Sequence, residues 1–99
     1  MARNWPSLKK LGEEPSELIT EVMKLMAFPN GKHPGRRRNV VLSMEDEMAD
    51  VIGIINYTID RERLNRARIE KRAKSKYREF SKWWGIPKIF QAAIKKAKK

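Results

Sequence analysis

The chain has 99 residues, contains no Cys and carries a formal net charge of +11 at pH 7. This length favours one domain with a modest core, and the lack of Cys excludes disulfides, a Cys-ligated zinc site and a Cys nucleophile. The first eleven residues lack the apolar segment of a secretory signal, and no run approaches the roughly 18 apolar residues of a membrane span, so we expect a cytoplasmic protein with no membrane partner.

Charge is distributed unevenly along the chain. Residues 1–60 contain 8 Lys/Arg and 9 Asp/Glu, whereas residues 61–99 contain 15 Lys/Arg and 3 Asp/Glu. An acidic half can hold a cation, and a basic half can attract polyanions. The composition therefore indicates a different kind of partner for each half.

The first predicted elements are an N-terminal arm and a helix. Residues 1–10 are interpreted as an arm, in which Ser7 caps a short turn that ends at Gly12. Apolar residues then follow helical spacing from Glu14 to Met26. Pro15 suits the first turn of this helix, because the missing N–H of proline has no helical partner there.

A basic loop is predicted between the first and second helices. Residues 28–42 contain two Pro, two Gly and the run Arg36-Arg37-Arg38. Ser43 begins a segment that resembles a capping box, so we expect the second helix to start there. The β-branched run of residues 51–55 could also form a strand, but the cap and the flanking periodicity favour a helix. Its apolar stripe comprises Met44, Met48, Val51, Ile52, Ile55 and Ile59.

The rest of the chain is predicted to be helical and basic. Asp60 could cap a third helix that runs to about Trp84 and is broken at Gly85. Residues 86–99 read as a short amphipathic helix with a basic tail. The predicted fold is therefore an all-α bundle of three main helices and a short C-terminal helix. Three main helices are one fewer than a four-helix bundle requires, so we expect self-association to complete the bundle.

Carboxylates recur at the same spacing in the first two helices. Glu14 and Glu17 lie three residues apart, as do Glu47 and Asp50, and residues at this spacing share a helix face. Like charges so close repel one another, and a hard divalent cation removes the repulsion. Two such pairs on packed helices would form a four-carboxylate cage for Mg²⁺, which prefers oxygen ligands and keeps waters that substrate phosphates can replace.

The same residues also have an ordinary explanation. Acidic side chains near helix N-termini are stabilised by the helix dipole and by capping, and either pair alone would more often be a solvated face. Two pairs together, each beside an apolar stripe, favour the metal site.

On the third helix, Lys71, Lys74 and Arg78 share a face with Ser75, and this face is either solvated or binds phosphate.

The order of these motifs resembles that of the MazG-like all-α nucleoside triphosphate pyrophosphohydrolases. The resemblance rests on LGEEPSEL at Leu11–Leu18, DEMADV at Asp46–Val51 and the basic run KRAKSKYR at Lys71–Arg78, and it covers roughly residues 5–84. It implies a MazG-like helical fold that works as a dimer or tetramer. It also implies hydrolysis of the α–β phosphoanhydride of a nucleoside triphosphate, giving the monophosphate and pyrophosphate.

The resemblance also assigns roles to residues. The implied catalytic Mg²⁺ ligands are Glu14, Glu17, Glu47 and Asp50, and Mn²⁺ could replace the Mg²⁺. Lys71 and Arg78 are implied to contact the substrate phosphates, together with Ser75, which stands where the family has Asn. A metal-bound water is the expected nucleophile. Pro15 departs from the family pattern and predicts a kink or a helix start at the metal site.

Two other functions are compatible with the same residues. A strongly basic C-terminal half is typical of a protein that binds the phosphate backbone of nucleic acid, with the carboxylates serving as helix caps or as a vestigial site. A MazG-like protein could also bind nucleotides without turnover. Salt-dependent nucleic-acid binding that survives Glu47→Ala would favour the first of these over the enzyme.

Overall fold

The protein is all-helical in a computed structural model that describes residues 5–86. Three helices follow one another, α1 (Leu8–Ala27), α2 (Val40–Arg61) and α3 (Arg66–Trp84), and none of the described residues forms a strand. The predicted all-α class is thereby confirmed. Most of the predicted C-terminal helix and tail, residues 87–99, lies outside the described residues.

The chain divides into two compact units, Met1–Leu64 and Asn65–Lys99. The first unit contains α1 and α2, which pack against each other as a helical hairpin, and the second contains α3. Within residues 5–86, no helix is both long and apolar enough to cross a membrane.

α1 begins earlier than the sequence predicted. The helix opens at Leu8 and continues through Gly12, so both the short turn ending there and the helix start at Glu14 are wrong. Ser7 precedes the helix but makes no side-chain capping bond. Pro15 lies inside the helix rather than in its first turn, where it costs about 3 kcal/mol relative to alanine. α1 nevertheless continues through Pro15 and packs against α2.

α2 begins three residues before the predicted start at Ser43. Asn39 caps it, because the Asn39 side-chain oxygen accepts a hydrogen bond of 2.8 Å from the Val41 N–H. The Asn39 amide also donates to the Asn30 carbonyl at 3.3 Å. The predicted capping box at Ser43 is therefore wrong, since an equally good capping residue stands upstream. The β-branched run of residues 51–55 is helical, as predicted.

α3 starts after a short turn rather than at Asp60. α2 runs past Asp60, so the predicted cap there is wrong. Asn65 caps α3 instead, because its side-chain oxygen accepts a hydrogen bond of 3.0 Å from the Arg68 N–H. The far end agrees with the prediction: α3 ends at Trp84, and Gly85 follows with a left-handed φ of 69°.

Little apolar surface is buried within the described part of the chain. There, only Val40 and Ile59 are buried apolar residues. Six large apolar side chains of the hairpin are between 38% and 72% exposed: Ile19, Met23 and Met26 on α1, and Met48, Ile52 and Ile55 on α2. Three of these belong to the stripe that the sequence predicted for α2, so that stripe is only partly covered.

Removing the α2 cap should destabilise the protein measurably. We expect Asn39→Ala to lower the free energy of unfolding by about 1 kcal/mol, because the Val41 N–H loses its acceptor. Ser43→Ala is the matched control and should change this free energy by less than about 0.5 kcal/mol, because α2 is already formed there. Urea unfolding followed by circular dichroism measures both values. Equal losses in the two variants would contradict this assignment of the cap.

Candidate metal centre

The pairing of α1 with α2 determines which acidic residues face one another. α1 carries Glu14 and Glu17 one turn apart, and α2 carries Glu47 and Asp50 at the same spacing. Because the helices run in opposite directions, Glu14 interacts with Asp50 and Glu17 interacts with Glu47. Carboxylate oxygens of Glu14, Glu47 and Asp50 all lie within 4.8 Å of one another. Three of the four predicted ligands therefore converge.

The fourth carboxylate, that of Glu17, lies beside this triad. It lies close enough to Glu14 and Glu47 for its charge to raise the pKa of both carboxyl groups. Glu14 and Glu47 are half-buried, whereas Glu17 and Asp50 are exposed. The cluster is thus shielded on one side and accessible on the other, which suits a site that exchanges a ligand with solvent.

The cluster holds its protons more tightly than ordinary carboxylates do. Burial raises the pKa of Glu14, and the neighbouring charges of Glu17 and Asp50 raise it further, against a smaller opposing effect of Lys10. Burial likewise raises the pKa of Glu47, followed by repulsion from Glu17 and Asp50. Both shifts mean that the fully ionised cluster is electrostatically unfavourable without a compensating positive charge.

Two oxygens in the cluster accept no hydrogen bond from the protein. They are the Oε2 atoms of Glu14 and Glu47, and both are shielded from solvent. Buried polar atoms are normally paired with a protein group, water or an ion. Lys10 does not bond to either oxygen, and its ammonium group lies 3.0 Å from Glu13 instead. The chemistry of these atoms fits a cation.

The donor set suits a hard divalent ion. All four side chains offer carboxylate oxygens, which Mg²⁺ prefers, and the described residues bring no His or Cys into this group. Mg²⁺–oxygen distances of about 2.1 Å place opposite ligands of one ion about 4.2 Å apart. The three oxygens already lie within 4.8 Å of one another, so only small side-chain adjustments bring them to such distances. The residues therefore fit Mg²⁺.

An open groove adjoins the carboxylates. It has a volume of about 440 Å³ and is lined by Glu14 and Asp50, and also by Gly53 and Tyr57 of α2 and Lys10 of α1. A Cβ added at Gly53 would meet no other atom within 4 Å, so the absent side chain leaves space in the groove. A cation held by the carboxylates would thus lie next to room for a small organic ligand.

The predicted phosphate-binding residues lie in the other compact unit. Lys71, Ser75 and Arg78 are all on α3, and their spacing of four and three residues places them on one helix face. Lys71 and Arg78 have no carboxylate partner among the described residues, and both are exposed. α3 therefore presents a face that can contact phosphate.

Five residues that line the groove were not predicted from the sequence, and Lys10, Gly53 and Tyr57 are the three with a proposed role. Lys10 precedes Glu14 by four residues, and Gly53 and Tyr57 follow Asp50 by three and seven. These intervals keep each residue on the same helix face as its carboxylate. The signal was therefore present in the spacing, although the groove itself depends on how α1 packs against α2.

Three features of the described residues define the candidate metal site: the acidic cluster, its two unpartnered oxygens and the adjoining groove. Comparisons of the chain with models of known protein families, with curated proteins and with solved structures gave no match.

Proposed function

We propose that this protein hydrolyses nucleoside triphosphates with the help of Mg²⁺, giving a nucleoside monophosphate and pyrophosphate. The observation that carries the proposal is the convergence of Glu14, Glu47 and Asp50 beside an open groove. A hard-cation site next to space for an organic ligand suits a substrate that is part phosphate and part nucleoside. The motif resemblance to MazG-like enzymes supports the same reaction.

Each acidic residue has a defined part in this reaction. Glu14, Glu47 and Asp50 would hold the ion. When bound, Mg²⁺ neutralises phosphate charge and lowers the pKa of a coordinated water. Glu17, which is exposed and adjacent to the triad, would orient an attacking water and accept its proton. The water oxygen bonds to the α-phosphorus, the bond to the bridging oxygen breaks, and pyrophosphate leaves.

The groove would receive the nucleoside part of the substrate. Gly53 leaves space beside Asp50, and the ring of Tyr57 supplies an aromatic surface for the base. Lys10 lies on the same groove, where its ammonium group can contact a phosphate while bonded to Glu13. Lys71, Ser75 and Arg78 of α3 are proposed as further phosphate contacts.

We propose that the active form is a homo-oligomer, either a dimer or a tetramer. The hairpin leaves large apolar side chains exposed on both helices, and Met26 and Ile52 are examples at 72% and 58% exposure. Monomeric proteins rarely expose large contiguous apolar surfaces. A second copy of the chain would cover these residues and complete the helical bundle.

A pyrophosphate-release assay tests the proposed reaction. Purified protein is incubated with a panel of ribo- and deoxyribonucleoside triphosphates, with Mg²⁺ or with EDTA, beside an active MazG-like enzyme. Release that requires Mg²⁺ supports the proposal, and the panel identifies the preferred base and sugar. No release from any triphosphate, while the comparison enzyme is active, would overturn it.

Filling the groove should weaken substrate binding without removing the metal. We expect Gly53→Leu to lower kcat/KM by about tenfold or more, because the new side chain occupies the space next to Asp50. The Mg²⁺-dependent rise in melting temperature should be retained, since no carboxylate is altered. Steady-state kinetics and thermal unfolding measure the two effects.

Gly12→Leu is the control for this substitution. Gly12 is also a helical glycine with open space around it, but it lies on α1 and does not line the groove. It should leave kcat/KM unchanged. Equal loss of activity in both variants would show that the groove does not hold the substrate.

A second candidate function is nucleic-acid binding by α3. Both glutamates of α3 are engaged within the helix, Glu70 by Arg66 at 3.8 Å and Glu79 by Lys76 at 3.1 Å. Six other cations of the described helix have no carboxylate partner: Arg68, Lys71, Arg72, Lys74, Arg78 and Lys82. Such a face suits a phosphate backbone. Binding that weakens steeply with salt and survives Glu47→Gln would favour this function over the enzyme.

A further inference from the structure

The loop between α1 and α2, residues 28–39, has a defined conformation. The Gly31 N–H donates to the Phe28 carbonyl at 2.8 Å, and the Val40 N–H donates to the Gly31 carbonyl at 2.9 Å. Gly31 has a left-handed φ of 81°, and a Cβ there would overlap the Asn39 side chain. Asn39 in turn donates to the Asn30 carbonyl. These contacts hold the two ends of the loop together.

His33 organises the centre of the same loop. Its Nδ1 accepts a hydrogen bond of 3.0 Å from the Gly35 N–H, and its carbonyl accepts one of 3.0 Å from the Arg36 N–H. The His33 ring also packs edge-on against Phe28, with 5.0 Å between ring centres. The loop is thus supported from within along its length.

Two of the four cations in this loop are tied to neighbouring helices. Arg36 donates to Glu21 of α1 at 2.9 Å, and Glu21 is only 7% exposed. Arg38 donates to Asp46 of α2 at 2.6 Å. Each bond uses one N–H of a guanidinium group that has five. Both groups are therefore held in place while most of their donors remain available.

The other two cations have no acidic partner. Lys32 and Arg37 make no ion pair with any described residue, and both are exposed. Together with Arg36 and Arg38 they line a cavity of about 370 Å³, and no carboxylate lines it among the described residues. This volume lies within the range of about 300–1,000 Å³ found for ligand sites. The loop accordingly concentrates uncompensated positive charge around a preformed cavity.

We propose that this loop cavity is a phosphate-binding site, separate from the carboxylate cluster. Lys32 and Arg37 would supply free positive charge, and the fixed guanidinium groups of Arg36 and Arg38 would donate in directions set by their carboxylate partners. The lining of this cavity shares no residue with the carboxylate cluster or with the groove beside it. The ligand is a phosphate group, either of a free phosphate compound or of a nucleic-acid backbone.

Titration of inorganic pyrophosphate into the isotope-labelled full-length chain tests this proposal by NMR. EDTA is present throughout, so that no metal-bound pyrophosphate forms at the carboxylates. We expect saturable shifts of the amide signals of residues 31–39. Lys32→Gln/Arg37→Gln should weaken binding by about tenfold or more. A parallel titration with a short single-stranded oligonucleotide distinguishes the two sources of phosphate.

Lys9→Gln/Arg61→Gln is the matched control. It removes the same amount of charge from exposed positions of the same hairpin, away from the loop, and should leave the affinity unchanged. Equal weakening by both double variants, or no saturable shift in the loop with either ligand, would overturn the proposal. The loop signals should respond equally well in Glu47→Gln, so failure of the proposed hydrolysis would be distinguishable from failure of this site.

Discussion

Glu47→Gln is expected to abolish the Mg²⁺ response of the protein and to lower pyrophosphate release by roughly a hundredfold or more. The substitution keeps the size of the side chain but removes one negative charge from the triad that Glu47 forms with Glu14 and Asp50. Mg²⁺ binding depends on that charge, because an amide is a poorer ligand for a hard cation than a carboxylate. Pyrophosphate release and Mg²⁺-dependent melting measure the two losses.

The same substitution should stabilise the protein when no metal is present. The Glu47 carboxylate is held among like charges, and its Oε2 atom has no hydrogen-bond partner. An amide at this position removes the repulsion and can donate to a neighbouring carboxylate. We therefore expect a higher melting temperature in EDTA together with lost activity. This opposite pair of effects is typical of a functional site and is not expected of a structural one.

Glu45→Gln is the control for this experiment. Glu45 lies on the same helix and is exposed, but it is not part of the converging carboxylates. It makes the same change of charge and should alter neither Mg²⁺-dependent melting nor pyrophosphate release. If Glu47→Gln and Glu45→Gln behaved alike, the acidic cluster would be an ordinary solvated surface.

Metal-free stability should fall as the pH rises above the ordinary range of carboxyl pKa values. The pKa values of Glu14 and Glu47 are raised in the folded state above the reference value of 4.5, chiefly by burial and then by repulsion from Glu17 and Asp50. The folded chain therefore retains protons that the unfolded chain releases. This contribution to stability is fully present below the unfolded pKa and is lost as the pH rises through the folded values.

Mg²⁺ should reverse this dependence, because the ion competes with protons for the same oxygens. The rise in melting temperature on adding Mg²⁺ should be larger near neutral pH than near pH 4.5. Thermal unfolding across this range, with EDTA and with Mg²⁺, measures the effect. Glu14→Gln/Glu47→Gln serves as the reference, since it lacks both groups. A wild-type curve parallel to that of the double variant in EDTA would contradict the raised pKa values.

The spacing of the acidic residues was readable from the sequence because it depends only on helix geometry. Glu14 with Glu17, and Glu47 with Asp50, share faces in any α-helix, and packing of the two helices then brings them together. The groove beside them was not predicted. It arises from the packing of α1 against α2 together with the missing side chain at Gly53.

Helix starts were the least predictable part of the fold. Ser43 and Asn39 are both good capping residues, and the loop contacts of Asn39 with Asn30 and of Val40 with Gly31 favour the upstream one. Similarly, Gly12 and Pro15 oppose helix formation locally, yet α1 runs through both. Local preferences of a few kcal/mol are outweighed by contacts with distant parts of the chain, and a single sequence does not display those contacts.

The position of Pro15 has a consequence for how the first turns of α1 behave over time. Proline lacks the N–H that would bond to the carbonyl of Leu11, and Gly12 adds backbone freedom in the same turn. The segment that carries Glu14 is therefore more prone to local opening than an uninterrupted helix would be. A cation that bridges Glu14 to α2 would stabilise the helical form of this segment. Metal binding and local folding of α1 would then be coupled.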